Sequence, residues 1–586
     1  MNFAIARALP ALQWMKGYQR TTFSGDLTAG IITAILLVPQ AMAYSALAGL
    51  PPEIGLYASI APPILYALFG SSRTLAVGPV AVASLMVAHA LSTVTTQGTA
   101  DYISTAIVLS AMIGICFLII GSLKLGFLTE FLSHPVMGGF TSAAAIMIAF
   151  SQLTPFAGFE ERLFFENLLS SNAAADIWGR VNGVTLILGI SSISLLYATR
   201  KYFAAILIRI PILSPFAQGL SKTGPLLVLV LMTVSVTVLD LDNVNSVSVI
   251  GFIPEGIPSL QLPTADYALL FDLAPSALLI TLISYVESVA IAKVLAAKRR
   301  QKLDVNQEAW GLGFANLGSS FTGGSPVCGG FSRSVVNFAA GANTQASAII
   351  TALLIGLTLA FFTPLFYSVP KAVLAAIILV AILDLVDIKG FIKNFTYDKA
   401  DGFSEGITFI TVLTFGIETG LTTGILISLV LHFWRSSRPH IAIVGQVDDT
   451  EHFRNIKRHE VKTYPHLLAL RIDENLFFAN ATFLENYVLG KLADDTQITD
   501  VLLICSAINS IDGSALHSLE MMQMELAASK VELHLAEVKG PVMDRLKETH
   551  FFKNQQNSHV FLSTHDAFKT LSAKGNPLLN DPEWSI

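Results

Sequence analysis

The first 435 residues of this 586-residue chain consist largely of apolar runs of spanning or near-spanning length. A helix that crosses the hydrocarbon core needs about 20 apolar residues. Charged residues make up only 13% of the chain, against about 25% in an ordinary soluble protein. The sequence therefore predicts an α-helical polytopic membrane protein. Its segments, about fourteen, fall at residues 27–46, 55–70, 79–95, 104–124, 131–152, 181–198, 223–240, 275–297, 308–322, 332–342, 345–366, 371–387, 403–418 and 420–435.

The distribution of Lys and Arg predicts the orientation of the segments. If the N-terminus is cytoplasmic, the inner loops hold most of the basic residues, including the cluster at 298–302 and the later Lys389, Lys393 and Lys399. The longest outer loop, Asp240 to Asp272, contains no Lys or Arg. We therefore expect the N-terminus and everything after residue 436 to be cytoplasmic, in the inner (plasma) membrane of the cell.

After Arg438 the composition becomes that of a soluble domain. Strand-like runs such as 441–447 and 501–507 alternate with helix-like runs such as 515–530. Strands that alternate with helices are typical of a small α/β domain with one sheet. The predicted division is a transmembrane domain, residues 1–435, and a soluble domain with a C-terminal tail, residues 436–586, in which the tail is the last dozen residues, 575–586.

The third and tenth segments are short and are preceded by Gly and Pro. Pairs of interrupted segments in corresponding positions of two halves indicate a site built from discontinuous helices. The free N–H groups and positive dipole ends of two such helices attract an anion. The alternative is that these glycines only permit close helix packing. The candidate anion-binding residues at the two helix starts are Gly78, Pro79, Val80, Phe331, Ser332 and Arg333.

Two lone charges fall within these membrane segments. Glu287 lies in the apolar run 275–297, and Arg333 lies in the tenth segment. A charge at such depth costs at least about 2.5–3.5 kcal/mol unless it is paired, protonated or hydrated. A carboxyl group removed from water favours its neutral form. The two residues therefore indicate an anion site coupled to a proton or another cation, and the alternative is a purely structural ion pair.

The first segment contributes two further candidates. Pro39 removes a backbone hydrogen bond from the helix interior, and Gln40 and Tyr44 lie one turn apart on one face. Polar side chains at this depth need partners. Gln40 and Tyr44 are therefore candidate ligand contacts, while a simple proline kink is the alternative.

Several functions are excluded by what the sequence lacks. Cys116, Cys328 and Cys505 form no CxxC or Cys/His pattern, so we predict no metal site and no cofactor. The net charge of −6 and the absence of a basic patch exclude nucleic acid as a partner. No nucleophile–base spacing or phosphate loop occurs, so the chain is not expected to be an enzyme.

An ordered set of short motifs runs along the membrane segments. They are Gly25–Gly30 (GDLTAG), Leu37–Tyr44 (LVPQAMAY), Leu50–Tyr57 (LPPEIGLY), Gly70–Arg73 (GSSR), Val77–Pro79 (VGP), Glu287–Ala290 (ESVA), Asp304–Glu308 (DVNQE) and Phe331–Ser334 (FSRS). In combination, rather than singly, these motifs are specific, and the set resembles the SulP sulfate-permease family of anion transporters. The resemblance extends over nearly the whole chain, and its soluble end resembles a STAS domain.

This resemblance implies a seven-plus-seven inverted repeat with a core and a gate domain, in a homodimer. The core is expected to move against the gate like an elevator, with Gln40, Tyr44, Ser332 and Arg333 at the site. The function implied is secondary active anion transport, most similar to proton-coupled sulfate symport, with Glu287 carrying the coupling ion. The alternatives are a sodium-dependent bicarbonate transporter, a C4-dicarboxylate transporter, or an anion channel or exchanger.

The soluble domain departs from one STAS pattern. In anti-sigma-type members a phosphorylated serine directly follows an Asp, whereas here Gly513 follows Asp512 and Ser514 comes one residue later. We therefore predict that Ser514 is no phosphoserine switch and instead caps a helix that begins at Ala515. A cytoplasmic partner of this domain is left open.

Overall fold

The computed structural model describes residues 9–130, 133–159, 181–209, 223–256, 258–264, 267–448, 450–553 and 559–574. The chain divides into two compact units, residues 1–426 and 427–586. The tail predicted at 575–586 lies outside the described residues.

The described part of the first unit is almost entirely helical. In lipid the backbone must satisfy its own hydrogen bonds, which an α-helix does within one segment. The boundary between the units falls inside the last of these helices. Helices α1 to α18 span Ala11–Met15, Arg20–Leu47, Pro52–Tyr57, Ala61–Phe69, Ala81–Ser92, Ala100–Ser122, His134–Ala157, Gly183–Ile208, Gly224–Val238, Leu241–Val244, Tyr267–Lys298, Val305–Phe321, Phe331–Ala339, Ala346–Phe361, Lys371–Ile382, Ile388–Tyr397, Lys399–Phe415 and Ile417–Ser436.

Among the described residues, six helices are long and apolar enough to cross a membrane, namely α2, α6, α7, α8, α11 and α18. Four shorter apolar helices, α5, α9, α14 and α15, accompany them. The helical polytopic architecture predicted from the apolar runs is therefore observed.

One predicted segment and one predicted loop differ from the observed helices. Residues 55–70 form two helices, α3 and α4, because Pro62 and Pro63 cannot donate backbone hydrogen bonds to a preceding turn. The basic stretch after α15 forms the exposed helix α16 rather than a loop. The side chain of Asp387 caps α16 by accepting the N–H of Gly390.

Small residues allow close contacts between the helices. A Cβ atom on Gly138 of α7 would lie 2.8 Å from Oε1 of Glu405 in α17. A Cβ atom on Gly114 of α6 would lie 2.9 Å from Leu317 in α12. Close approach through glycine is a common way for membrane helices to gain packing energy.

A buried carboxylate joins α12 to α4 and the turn that follows α4. Glu308 is fully buried, and its Oε2 accepts the hydroxyl hydrogen of Tyr66 at 2.6 Å. Its Oε1 accepts the N–H of Ser71 at 2.8 Å, that of Ser72 at 2.7 Å, and the hydroxyl of Ser71. Four donors compensate for the removal of this charge from water.

We expect Tyr66→Phe to destabilise the chain by about 1.5–3 kcal/mol, because a hydrogen bond to a buried charge is lost. Unfolding of the full chain in mixed micelles measures the change. Tyr197→Phe is the matched control, since Tyr197 is 65% exposed. Equal stability of the two variants would contradict the prediction.

Two short strands bring distant parts of the first unit together. Strand β1 (Val77–Gly78) pairs antiparallel with β2 (Cys328–Gly329), with Val77 opposite Gly329 and Gly78 opposite Cys328. Helix α5 follows β1, and helix α13 follows β2. The pair therefore fixes the starts of both helices with respect to one another.

The second unit contains a six-stranded mixed sheet. Its order is β4-β3-β5-β6-β7-β8, where β3 is antiparallel to β4 and β5, and β5 to β8 are parallel. Apolar side chains of the central strands are buried under the helices. The strands β3 to β8 span Ile441–Gln446, Phe453–Asn455, Leu467–Ile472, Asp500–Ile504, Glu532–Ala536 and Val560–Phe561, and the helices α19 to α23 span Ala481–Asp494, Gly513–Ala528, Gly540–Leu546, His550–Lys553 and Thr564–Lys574.

The predicted cap of α20 is wrong. The helix begins at Gly513, and the side chain of Asp512, rather than that of Ser514, accepts the N–H of Ala515 at 2.8 Å. The other carboxylate oxygen of Asp512 accepts the N–H of Phe478 at 2.9 Å. Asp512 therefore serves two backbone donors, whereas Ser514 lies within the helix.

Candidate functional site

The third and tenth segments are short helices in the structure, as their Gly and Pro residues predict. Helix α5 has 12 residues and α13 has 9. At 1.5 Å per residue they are about 18 Å and 14 Å long, so neither crosses the bilayer core, which is about 30 Å thick. Each helix begins within three residues of the end of one strand of the β1–β2 pair. The N-terminal ends of the two helices therefore lie close to one another.

Backbone and side-chain hydrogen bonds hold these starts together. The N–H of Gly330 donates to the carbonyl of Ala76 at 3.1 Å, and the N–H of Ala76 donates to Oγ of Ser334 at 2.9 Å. Helix α11 joins them, since the N–H of Gly329 donates to Oγ of Ser288 at 2.8 Å. Glu287, the neighbour of Ser288, is thereby brought to the same region.

Arg333 is buried between the two helix starts, with only 2% of its surface exposed. Its Nη1 donates to the carbonyl oxygen of Pro79 at 2.5 Å. Its Nε and Nη2 are buried and find no hydrogen-bond partner among the described residues. A buried charged donor without a partner is costly. One edge of the guanidinium group is thus available for a ligand.

The other predicted site residues lie on two neighbouring helices. Gln40 and Tyr44 are 6% and 8% exposed on α2, which continues through Pro39 without a break. Glu287 is partly exposed on α11. Tyr44 and Glu287 lie within electrostatic range of the charge of Arg333. Since Nε and Nη2 of Arg333 have no partner, Glu287 does not form a hydrogen-bonded ion pair with this edge.

The start of α13 has one buried and one accessible side. Phe331 is 59% exposed and Ser332 is exposed, whereas Gly78 and Pro79 are buried. Val80, the residue before α5, is partly exposed. The structure therefore brings the two helix starts and Arg333 together, with α2 and α11 beside them and an accessible approach along Phe331 and Ser332.

Some contacts in this region were not predicted from the sequence. They are the carbonyl of Pro79 as acceptor for Arg333, and the hydroxyls of Ser288 and Ser334 as acceptors for backbone N–H groups. The sequence offered one indication of these contacts: a serine directly follows each of the two membrane-embedded charges, as Ser288 follows Glu287 and Ser334 follows Arg333. A serine hydroxyl inside a membrane needs a hydrogen-bond partner. The partner of each serine could not be deduced.

An apolar cavity of about 410 Å³ lies elsewhere in the first unit. Its lining includes Leu65, Leu260, Leu262 and Phe321, and none of the predicted site residues. Its walls offer no charge to an anion.

A cluster of charged side chains lies in the second unit. Asp500, Glu532 and His534 offer ligand atoms within 4.8 Å of one another, a spacing that could hold a metal ion. The Nζ of Lys574 lies 3.2 Å from Asp500 and 2.5 Å from Glu532. Nε2 of His534 donates to Asp500, and its Nδ1 accepts the N–H of His559. The arrangement is therefore a satisfied ion-pair network that attaches α23 to the sheet.

We expect Asp500→Asn to destabilise the second unit by about 2 kcal/mol at pH 7. Although burial opposes the charge, hydrogen bonds from His534 and Thr499 and the charge of Lys574 lower the pKa of Asp500 from 3.8 to about 2. The contribution is present above about pH 4 and is lost as the pH falls toward 2. Hydrogen exchange of β6 and β7 in the full chain measures it.

The control is Asp494→Asn, because the Asp494 side chain is 71% exposed. If Asp500→Asn and Asp494→Asn leave the same exchange protection at pH 7, the charge of Asp500 does not stabilise the sheet.

Two interrupted helices that meet beside a buried arginine, within a bundle of membrane-spanning helices, define a multi-pass membrane transporter. Residues 23–408 match the Sulfate permease family, and residues 458–567 match the STAS domain. The chain belongs to the sulfate permease family. The predicted fold class, a helical membrane domain followed by an α/β STAS domain, is confirmed.

Curated relatives match nearly end to end. "Probable sulfate transporter 4.2" of Arabidopsis thaliana is 36% identical over 574 residues, which cover 95% of this chain and 82% of that protein. "High affinity sulfate transporter 2" of Stylosanthes hamata is 30% identical over 582 residues, which cover 96% of this chain and 86% of that protein.

Two solved structures share the fold. The murine Solute Carrier 26 family member A9 anion transporter in the inward-facing state has a TM-score of 0.88 at 22% identity, covering 98% of this chain and 95% of that chain. The transmembrane domain of the cyanobacterium bicarbonate transporter BicA has a TM-score of 0.58 at 22% identity, covering 70% of this chain and 98% of that chain. The family and the fold together identify the chain as a membrane transporter of anions.

Proposed function

We propose that the protein is a secondary active transporter that carries sulfate together with a proton. The observation that carries this proposal is the unpartnered Nε–Nη2 edge of Arg333, buried where two short helices begin. The named sulfate transporters among its relatives, up to 36% identical, support sulfate as the substrate. An oxyanion fits this edge, since a guanidinium group binds two oxygen atoms with two parallel hydrogen bonds.

The proposed binding site combines two kinds of positive charge. The first turns of α5 and α13 offer free N–H groups and the positive ends of two helix dipoles. Arg333 adds one full charge between them. Gly78, Pro79, Val80, Phe331 and Ser332 form the walls of the site at the helix starts. Gln40 and Tyr44 contribute polar side chains from α2.

Glu287 is the proposed carrier of the coupling proton. A carboxyl group beside the anion must be neutral for a dianion to bind without repulsion, so proton binding and anion binding favour one another. The sodium-dependent alternative assigns Glu287 to a sodium ion. Both alternatives use the same side chain, and they differ in which gradient drives uptake.

Transport is proposed to occur by movement of a core, which includes α5, α11 and α13, against a gate, which includes α7, α17 and α18. The hydroxyl of Ser276 in α11 donates to Oε1 of Glu418 in α18 at 2.5 Å. This hydrogen bond would cross the boundary between core and gate. A movement of several ångströms would break it at a modest cost.

The proposal places the protein in the inner membrane as a homodimer, with a seven-plus-seven inverted repeat. The N-terminus and the soluble domain, residues 436–586, lie in the cytoplasm. The positive-inside distribution of Lys and Arg supports this orientation. A protease added to one side of sealed vesicles tests it, because only cytoplasmic exposure allows cleavage within residues 436–586.

Uptake into proteoliposomes tests the function. Labelled sulfate, bicarbonate and fumarate are offered under a proton gradient, a sodium gradient or neither. The proposal requires saturable sulfate accumulation above equilibrium with the proton gradient alone. A non-saturating flux that never exceeds equilibrium would identify a channel, and accumulation of bicarbonate with sodium would identify the alternative carrier.

A further inference from the structure

Gly330 is the residue immediately before α13, and its missing side chain leaves space that the guanidinium group of Arg333 occupies. A Cβ atom on Gly330 would lie 2.8 Å from Nη2, 3.0 Å from Cζ and 3.1 Å from Nε of Arg333. A Cβ atom on Gly78 would lie 3.3 Å from the same Nη2. The side chain of Arg333 thus folds back over the start of its own helix.

The atoms that a Cβ at position 330 would crowd are those of the free guanidinium edge. Nε and Nη2 are the two atoms without a partner, while Nη1 is held by the carbonyl of Pro79. A displaced guanidinium group could keep the bond to Pro79 or keep its free edge in place, but a rigid planar group cannot readily do both. Space at position 330 therefore decides where the edge points.

We infer that Gly330 is a positioning residue that sets anion affinity by allowing Arg333 to present its Nε–Nη2 edge. This inference rests on the proposed function of Arg333 in anion binding. The crowded atoms are the far end of a flexible side chain, so the chain can fold around alanine at position 330 with little strain. Affinity and stability are therefore expected to respond differently.

We expect Gly330→Ala to raise the apparent KM for sulfate about tenfold or more, since one charge-assisted hydrogen bond is lost or misdirected. The melting temperature and the rate at saturating sulfate stay close to the wild type. Gly189→Ala is the matched control for crowding. A Cβ atom on Gly189 would lie 2.7 Å from the ring of Phe156, and the atoms nearest to it belong to no predicted site residue, so we expect KM to stay unchanged.

The decisive comparison repeats Gly330→Ala in an Arg333→Lys background. Lysine has no atom at the position of Nη2, the atom most crowded by the new Cβ. The effect of Gly330→Ala on KM should therefore shrink to less than about threefold. An equal effect in both backgrounds, or no effect in the wild type, would overturn the inference.

The same measurements separate this inference from the proposed function. If Arg333→Lys leaves KM for sulfate unchanged, the guanidinium group of Arg333 does not bind the anion, and the proposed function of Arg333 is wrong. If Arg333→Lys raises KM and Gly330→Ala does not, Arg333 binds the anion and Gly330 does not position it.

Discussion

Replacing Arg333 with alanine is expected to weaken the apparent affinity for sulfate by about 100-fold or more. Two N–H groups of the guanidinium edge are lost, and hydrogen bonds to a charged group contribute about 1.5–3 kcal/mol each. A 100-fold change corresponds to about 2.7 kcal/mol. Competition binding to purified protein measures it, and size-exclusion chromatography checks that the variant remains folded and assembled.

Two further variants isolate the cause. Arg333→Lys keeps the charge and loses the two-pronged geometry, so its affinity should lie between those of the wild type and Arg333→Ala. Arg454→Ala removes an exposed basic charge from the second unit and should bind normally. Unchanged affinity in Arg333→Ala would locate the anion site elsewhere.

Replacing Glu287 with glutamine is expected to abolish accumulation of sulfate driven by a proton gradient, while binding and exchange of sulfate continue. Glutamine resembles the protonated carboxyl in shape and charge, so the site can still accept the anion. It cannot release a proton, which uncouples the two fluxes. Uptake with a proton gradient and counterflow at symmetric pH measure the two properties in the same vesicles.

Glu255→Gln is the control, because Glu255 is an exposed carboxylate of the loop before α11 and should leave both fluxes unchanged. If the wild type accumulates sulfate with a sodium gradient at symmetric pH and ignores a proton gradient, proton coupling is wrong. Glu287 is then better interpreted as a sodium ligand.

The positions of the short helices could be predicted from the sequence because Gly and Pro act locally. Gly78 and Pro79, and the glycines at 323–330, interrupt apolar runs at matching places. What holds these helices together could not be predicted. The acceptor for Arg333 is a carbonyl oxygen 254 residues earlier, and any carbonyl looks the same in a sequence.

The same limit applied to the charged side chains. Glu308 was identified only as part of a motif, although its four donors come from α4 and the turn after it. Asp500 was not singled out, because Lys574 lies 74 residues away. The basic stretch around Lys389 and Lys393 was predicted as a loop, because a short segment rich in polar residues shows no long apolar run. The structure shows that Asp387 caps a helix there.

The pairing of β1 with β2 also determines when the protein can assemble during its synthesis. Gly78 and its partner Cys328 are far apart in the chain, and at 5–20 residues per second a ribosome needs about 12–50 s to add the roughly 250 residues between them. During that time β1, at the start of the third segment, has been synthesised but β2 has not. The backbone groups of β1 therefore lack the hydrogen-bond partners that β2 later provides. The proposed anion site therefore cannot assemble stepwise with the early helices, and it forms only after residue 333 has emerged.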